Sequence, residues 1–398
     1  MNRTRVGIAG LGGRGFSLLK DLIIDMPGVE VTAVCDDYGD RAATAQALVY
    51  EKTGKQPFAT RDYSEMLART DVEAVFVITP WETHIPYAIE AMERGVPVAL
   101  EVGGASSVQE CWELVRTWEK TRTPFFFLEN CCFGRTELLV TNMVRKGIFG
   151  EIVHCAGAYA HDLREEIAGG DANHHYRLRH YRGRNCENYP THELGPIAKI
   201  LDINSGNRML TLSSTASKAA GMRAYGMDGE FQQGDVIHTV IRCARGETIL
   251  LTLDTTLPRY YSRDFTVRGT KAMYEERTNS FFIDGEHEEH FNWKPEWDNA
   301  QRYLEAYEHP IWDKILKDGV RGGHGGMDGL VYGAFIECLQ KGWEMPIDVY
   351  DAAAWMAITA LSEDSVSLGG APVAIPDFTS GRWLNPRDSM NEYAEKWC

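Results

Sequence analysis

Six residues near the start of the chain, Gly10-Leu11-Gly12-Gly13-Arg14-Gly15, constrain the fold most. They follow the apolar run Val6-Gly7-Ile8-Ala9 directly, and glycines spaced G-x-G-x-x-G suit a strand that turns sharply into a helix. Gly10 permits the tight turn, Gly12 lets the backbone approach a pyrophosphate, and Gly15 lets the helix pack on the strand. The amides of Gly13 and Arg14 open that helix, where an N-terminus faces negative charge. The next apolar run ends in Val34-Cys35-Asp36-Asp37. Asp36 thus stands about 20 residues beyond the last glycine, where a carboxylate accepts hydrogen bonds from ribose hydroxyls. An acid there repels a 2′-phosphate, so NAD is the expected cofactor, with Asp37 reinforcing the preference. Thr79-Pro80 with His84, and Glu101, fall at the carboxyl ends of later strands, where open α/β sheets bind ligands.

Around this turn, β-branched runs over 5–9, 29–35, 74–78, 96–100 and 124–128 alternate with helical spacing over 41–51, 85–94 and 108–120. That is the pattern of a Rossmann-type doubly wound α/β domain. After residue 151 strands follow one another, over 152–159, 209–217, 235–243, 248–254, 264–268 and 280–283, with helices at 191–201, 328–341 and 349–368. This predicts an α+β C-terminal domain with an open, mainly antiparallel sheet. The expected divisions are 1–130 for NAD binding, 131–370 for substrate binding and oligomerisation, and 371–398 as a tail packing back on the body. The stretch 161–189 reads as a long, polar, His-rich loop, and long ordered loops tend to be functional.

Composition narrows the partners. In 398 residues, 41 Lys plus Arg stand against 57 Asp plus Glu, a net charge of −16, which repels phosphate backbones and anionic headgroups. Neither nucleic acid nor a membrane is expected. No apolar run reaches the ~18 residues of a membrane helix, and the first residues lack the regions of a signal peptide. The nine cysteines show no C-x-x-C spacing and read as reduced thiols of a cytoplasmic protein. His161, Asp162, His174, His175 and His192 match no ligand template, so no metal is expected. His287-Glu288-Glu289-His290 follows the turn signal Asp284-Gly285 and reads as a solvated loop. No G-x-S-x-G elbow supports a serine hydrolase.

The glycine-rich turn, Thr79-Pro80-Trp81-Glu82-Thr83-His84 and Glu101 resemble the Gfo/Idh/MocA group of nicotinamide-dependent proteins. Five further segments are similar to one branch of it. They are Leu128-Glu129-Asn130-Cys131-Cys132-Phe133-Gly134-Arg135, Tyr159-Ala160-His161-Asp162-Leu163-Arg164, Asn188-Tyr189-Pro190-Thr191-His192, Pro258-Arg259-Tyr260-Tyr261-Ser262-Arg263 and Gly323-His324-Gly325-Gly326-Met327-Asp328. In that order they resemble the NAD-dependent glycoside hydrolases of family 109, the α-N-acetylgalactosaminidase type. The chain departs from the resemblance in three places. Glu101-Val102-Gly103 replaces the Glu-Lys-Pro common in the wider group, Glu193 stands where the family has Gly, and Leu253 precedes Asp254 where the family often has His.

The resemblance implies a redox-neutral hydrolysis of an N-acetylgalactosaminide or related hexoside. Hydride leaves carbon 3 of the sugar for NAD, a base takes the acidified proton from carbon 2, the anomeric substituent is eliminated, water adds, and the hydride returns. Such chemistry needs a base at carbon 2 rather than the paired carboxylates of ordinary glycosidases. Tyr189 and His192, three apart where a loop enters a helix, can turn toward one point. The resemblance puts both at the substrate, and the expected roles are the carbon 2 proton for Tyr189 and the 3-hydroxyl or its oxyanion for His192; spacing alone also allows Tyr189 to pack and His192 to cap a carbonyl. His161, Asp162, Glu129, Arg164, Tyr261 and His324 are the expected sugar contacts. Gly10, Gly12, Gly13, Arg14, Gly15, Asp36, Thr79, Pro80, His84 and Glu101 are the expected cofactor contacts. A homodimer or homotetramer is implied by resemblance. Two other classes stay open on the residues: a sugar oxidoreductase that accumulates NADH, and a non-catalytic sensor that binds without turnover.

Overall fold

A computed structural model describes residues 3–287, 291 and 293–398. The chain divides into two compact units: Met1–Asn130 with Ile315–Ala353 and Ser389–Trp397, and Cys131–Lys314 with Ala354–Asp388 and Cys398.

In the first unit, β1 (Thr4–Ala9), β2 (Val29–Cys35), β3 (Phe58–Thr60), β4 (Ala74–Val77), β5 (Val98–Leu100) and β6 (Phe125–Phe127) form one sheet in the order β3-β2-β1-β4-β5-β6. Every pairing is parallel. The connections run through α1 (Gly13–Asp21), α2 (Gly39–Thr53), α3 (Tyr63–Leu67), α4 (Trp81–Glu93) and α5 (Val108–Thr121). Central strands covered on both faces are apolar throughout: Ala74, Val75, Phe76 and Val77 are all inaccessible to solvent. α5 opens with a capping box, Ser107 and Glu110 satisfying each other's backbone amides. The expected doubly wound domain is present, with the short β3 and α3 added.

Residues 315–353 return to this unit, unlike the continuous 131–370 read from the sequence. The helix Met327–Lys341 is apolar on most of its surface, and such a helix needs a sheet to cover. Its Tyr332 and Phe335 rings lie 5.0 and 5.5 Å from Phe76 of β4. The tail is likewise shared out: Val373–Ala374 extends the second sheet, and Ser389–Trp397 is a helix of the first unit.

The second unit carries β7 (Ile152–Ala160), β8 (Met209–Ala216), β9 (Val236–Cys243), β10 (Thr248–Asp254), β11 (Thr266–Gly269), β12 (Ala272–Glu275), β13 (Ser280–Ile283) and β14 (Val373–Ala374), in the order β13-β12-β11-β7-β10-β9-β8-β14. All neighbours are antiparallel except β7 and β10, so the sheet is mainly antiparallel, as expected. In β10 the alternation is regular: Ile249, Leu251 and Leu253 are buried while Leu250, Thr252 and Asp254 are half-buried. The helix Thr191–Ile200 packs on β7, where a Cβ at Gly157 would lie 2.7 Å from the Glu193 Cβ.

The 161–189 segment is more ordered than a loop. It folds into the helices Arg164–Ala168, Gly170–Asn173 and Arg177–Gly183, each too short to show helical periodicity in sequence. Leu163, Ile167, Leu178 and Tyr181 pin it to the core. Residues 288–290 of the His287–His290 cluster lie outside the described residues. His287 itself accepts the Ile283 amide at 3.0 Å.

Candidate active site

The glycine-rich turn is shaped by its neighbours. Gly10 has φ +92°, and a Cβ there would meet the Ile78 carbonyl oxygen at 2.3 Å; only glycine satisfies both demands. Gly15 packs as closely, its would-be Cβ 2.0 Å from the Gly10 carbonyl. At Gly13, by contrast, a Cβ would meet nothing, and the N-terminus of α1 has no side-chain cap. An uncapped helix start bordered by open space is a cradle for a phosphate group. Asp36 closes β2 with one oxygen accepting the Leu11 amide at 2.7 Å and the other accepting the Tyr38 amide at 2.9 Å. The Asp36 carboxylate is therefore locked to the glycine-rich turn, and the residues fit NAD.

Thr79, Pro80 and His84 form the neighbouring turn after β4. His84 Nε2 lies 2.7 Å from the Thr79 carbonyl oxygen, and Thr83 Oγ1 lies 2.8 Å from Thr79 Oγ1. Burial pushes His84 down to about 4, so the neutral ring donates from Nε2 and braces the turn. Glu101, at the end of β5, accepts from Arg14 Nη2 at 3.1 Å and from the Tyr332 hydroxyl at 2.9 Å. Glu129 and His324 also belong to the first unit. Glu129 is completely buried just beyond β6. His324 Nδ1 lies 2.9 Å from Asp328 Oδ2.

In the second unit the Tyr189 hydroxyl and His192 Nε2 are 3.3 Å apart. Pro190 sets this geometry, since the residue before proline stays extended and the helix starts at Thr191. The preceding segment is pinned as well. Gln233 Nε2 donates to the Cys186 carbonyl at 2.9 Å, the Glu187 amide donates to Ser362 Oγ at 2.8 Å, and the Thr359 hydroxyl donates to the Glu187 carbonyl at 2.7 Å. The Tyr159 ring lies 4.5 Å from Tyr189, 5.7 Å from His192 and 5.9 Å from His161. His161 in turn meets Tyr261 edge-on at 5.3 Å. The carboxyl end of β7 thus delivers Tyr159 and His161 to the pair.

Asp162 and Arg164 bind each other through two bonds of 2.8 and 2.6 Å. Two residues of this cluster carried little or no weight in the sequence reading. Tyr159 lay inside a matched motif without a role of its own, and Arg177 showed no pattern. The buried Arg177 guanidinium stands 5.0 Å from the Tyr189 ring and pairs with Glu166 at 2.6 Å. Its charge is felt at His161, whose pKa is pushed down by burial first and Arg177 second.

Comparison with known proteins places both units. Residues 4–127 match the model of the oxidoreductase family with an NAD-binding Rossmann fold, and residues 133–385 match that of the glycosyl hydrolase 109 C-terminal domain. The chain belongs to glycosyl hydrolase family 109. A family 109 protein of Solibacter usitatus is 39% identical over 95% of this chain and 89% of its own length. The alpha-N-acetylgalactosaminidase of Tannerella forsythia is 34% identical over 96% and 88%. Among solved structures, levoglucosan dehydrogenase in complex with NADH superposes with a TM-score of 0.69 at 16% identity, covering 95% of this chain and all of that one. The myo-inositol 2-dehydrogenase of Lactobacillus plantarum gives 0.66 at 17%, over 94% and 100%. At such identities the likeness is one of fold.

Proposed function

We propose that this family 109 member is an NAD-dependent glycosidase acting on an N-acetylgalactosaminide or related hexoside with no net oxidation. The observation that carries the reading is the Tyr189–His192 pair, held within hydrogen-bond reach in the unit matched by the family 109 model. The glycine turn, Asp36 and the Thr79–His84 turn hold NAD, which when bound supplies a reversible hydride acceptor. His192 holds the sugar's 3-hydroxyl and its oxygen as charge develops there. Tyr189 takes the carbon 2 proton, made acidic by the neighbouring carbonyl, and returns it after water has added at carbon 1. The buried Arg177 guanidinium places a fixed cation 5.0 Å from the ring of that base. His161 and Tyr261 line the sugar with Tyr159, while Arg164 holds Asp162 toward it.

Three finer points belong to this reading. The enzyme is cytoplasmic, in keeping with nine cysteines that form no disulfide among the described residues, eight of them buried. It is a homodimer or homotetramer, supported by the half-open face of the large sheet around Val240 and Leu250. Its substrate is a soluble carbohydrate.

The test is a panel of α- and β-nitrophenyl hexosides, with bound NAD retained or stripped, read for nitrophenol and NADH together. Nitrophenol release without matching NADH, lost on stripping and restored by NAD, is expected. NADH accumulating in step with turnover overturns the reading in favour of a net oxidoreductase.

A further inference from the structure

The segment 322–328 plays no part in the sugar chemistry above, yet its backbone takes an unusual course. Gly322, His324, Gly325 and Gly326 all have positive φ, of 86, 51, 66 and 102°, and a histidine adopts that region only where its surroundings insist. The surroundings here are Asp328. Its side chain is almost fully buried and accepts four hydrogen bonds: from Arg14 Nη1 and Nη2 at 2.9 Å each, from Asn130 Nδ2 at 2.9 Å and from His324 Nδ1 at 2.9 Å. Burial alone would raise its pKa, but His324 and Arg14 hold the carboxyl well below the usual range. Arg14 also meets Glu101 at 3.1 Å.

Arg14 belongs to the glycine-rich turn, and a free arginine there would be a mobile cation seeking phosphate. In this chain its charge is already matched by Asp328 and Glu101, and its planar fork is fixed by a two-point contact. It therefore acts as a tether between the turn and the segment 322–328. We infer that Asp328 is a positioning residue for the cofactor: through Arg14 it locks the glycine-rich turn, and this lock sets how slowly NAD leaves. The inference rests on the NAD site and not on the glycosidase reading.

The experiment uses NAD-loaded protein with no glycoside present, so its outcome is independent of the sugar assay. Released NAD is trapped by an excess of an alcohol dehydrogenase with ethanol, and the NADH that reagent forms gives the release rate. Asp328→Asn keeps the shape but weakens the charged bonds, and release about tenfold faster is expected. Arg14→Lys, which keeps the charge and loses the fork, should release NAD at an intermediate rate. A merely structural role would lower the melting temperature and leave release unchanged, and a folded Asp328→Asn with wild-type release overturns the inference. Should Asp328→Asn not fold, His324→Ala decides. Its half-exposed side chain supplies one of the four bonds; release about threefold faster supports the lock, and unchanged release overturns it.

Discussion

Replacing Glu187 by Gln should stabilise the protein, and increasingly so as the pH rises. Glu187 lies two residues before Tyr189 and is completely buried. Its Oε1 is 3.5 Å from the Tyr189 amide, and its Oε2 has no hydrogen-bond partner among the described residues. Burial pushes its carboxyl from 4.5 up to about 8. The folded protein thus keeps a proton that the unfolded chain gives up. Below pH 4.5 both states are protonated and nothing is lost. Between 4.5 and about 8 stability falls as pH rises, by about 1.4 kcal/mol per unit. Near pH 5 the loss is still under about 1 kcal/mol, and above the folded pKa it levels off near about 5 kcal/mol. Gln carries none of this, and any change it makes in hydrogen bonding is independent of pH, so it cancels between conditions. The advantage of Glu187→Gln should therefore grow by about 4 kcal/mol from pH 5 to pH 9, or roughly 8 °C in melting temperature at about 2 °C per kcal/mol. Calorimetry of both proteins with NAD bound at several pH values measures it. A difference that stays constant across the range would show that Glu187 is not held as a neutral acid, and the reasoning would fail.

Other expectations are as direct. Tyr189→Phe removes the proposed base and should cut turnover by about 10²- to 10⁴-fold; hydrogen exchange at carbon 2 in heavy water, followed by NMR, should vanish with it, and wild-type exchange would refute the assignment. Gly10→Ala must fit a Cβ 2.3 Å from the Ile78 carbonyl at φ +92°, costing about 3 kcal/mol or more; the NAD content of the purified protein should fall sharply, as read from its absorbance ratio. Glu193→Gly, next to His192, vacates space against Gly157 of β7. The ranking of nitrophenyl hexosides by kcat/KM should change, and an unchanged ranking would make Glu193 a packing residue only.

The parts of this molecule that were legible in sequence are those whose physics is local. A turn that must have positive φ and no side chain writes itself as Gly10, and a strand buried on both faces writes itself as Ala74-Val75-Phe76-Val77. A two-faced strand such as β10 shows alternation. The Tyr189–His192 pair was legible because the two residues stand three apart where a loop enters the helix that starts at Thr191, a spacing that can turn both side chains toward one point. β3, β12, β14 and the short helices between 164 and 173, of two to five residues each, contain too few positions for any period to emerge. Their existence depends on what they pack against.

The same division explains why His324 was expected at the sugar while the structure places it with the cofactor turn's arginine. Four of the five residues 322–326 have positive φ, a backbone course that the three glycines among them permit. What the backbone is special for depends on Arg14, and Arg14 and Asp328 are separated by 314 positions. No local pattern links residues so far apart. The helix Met327–Lys341 must return to cover the parallel sheet before its first turn can meet the glycine loop, so the pairing is a product of the fold and not of either motif. The consequence is functional. An enzyme that oxidises and then reduces the same sugar must keep one NAD through the whole cycle, and the carboxylate we infer to lock the glycine-rich turn of this chain comes from a helix that lies between β13 and β14 in sequence.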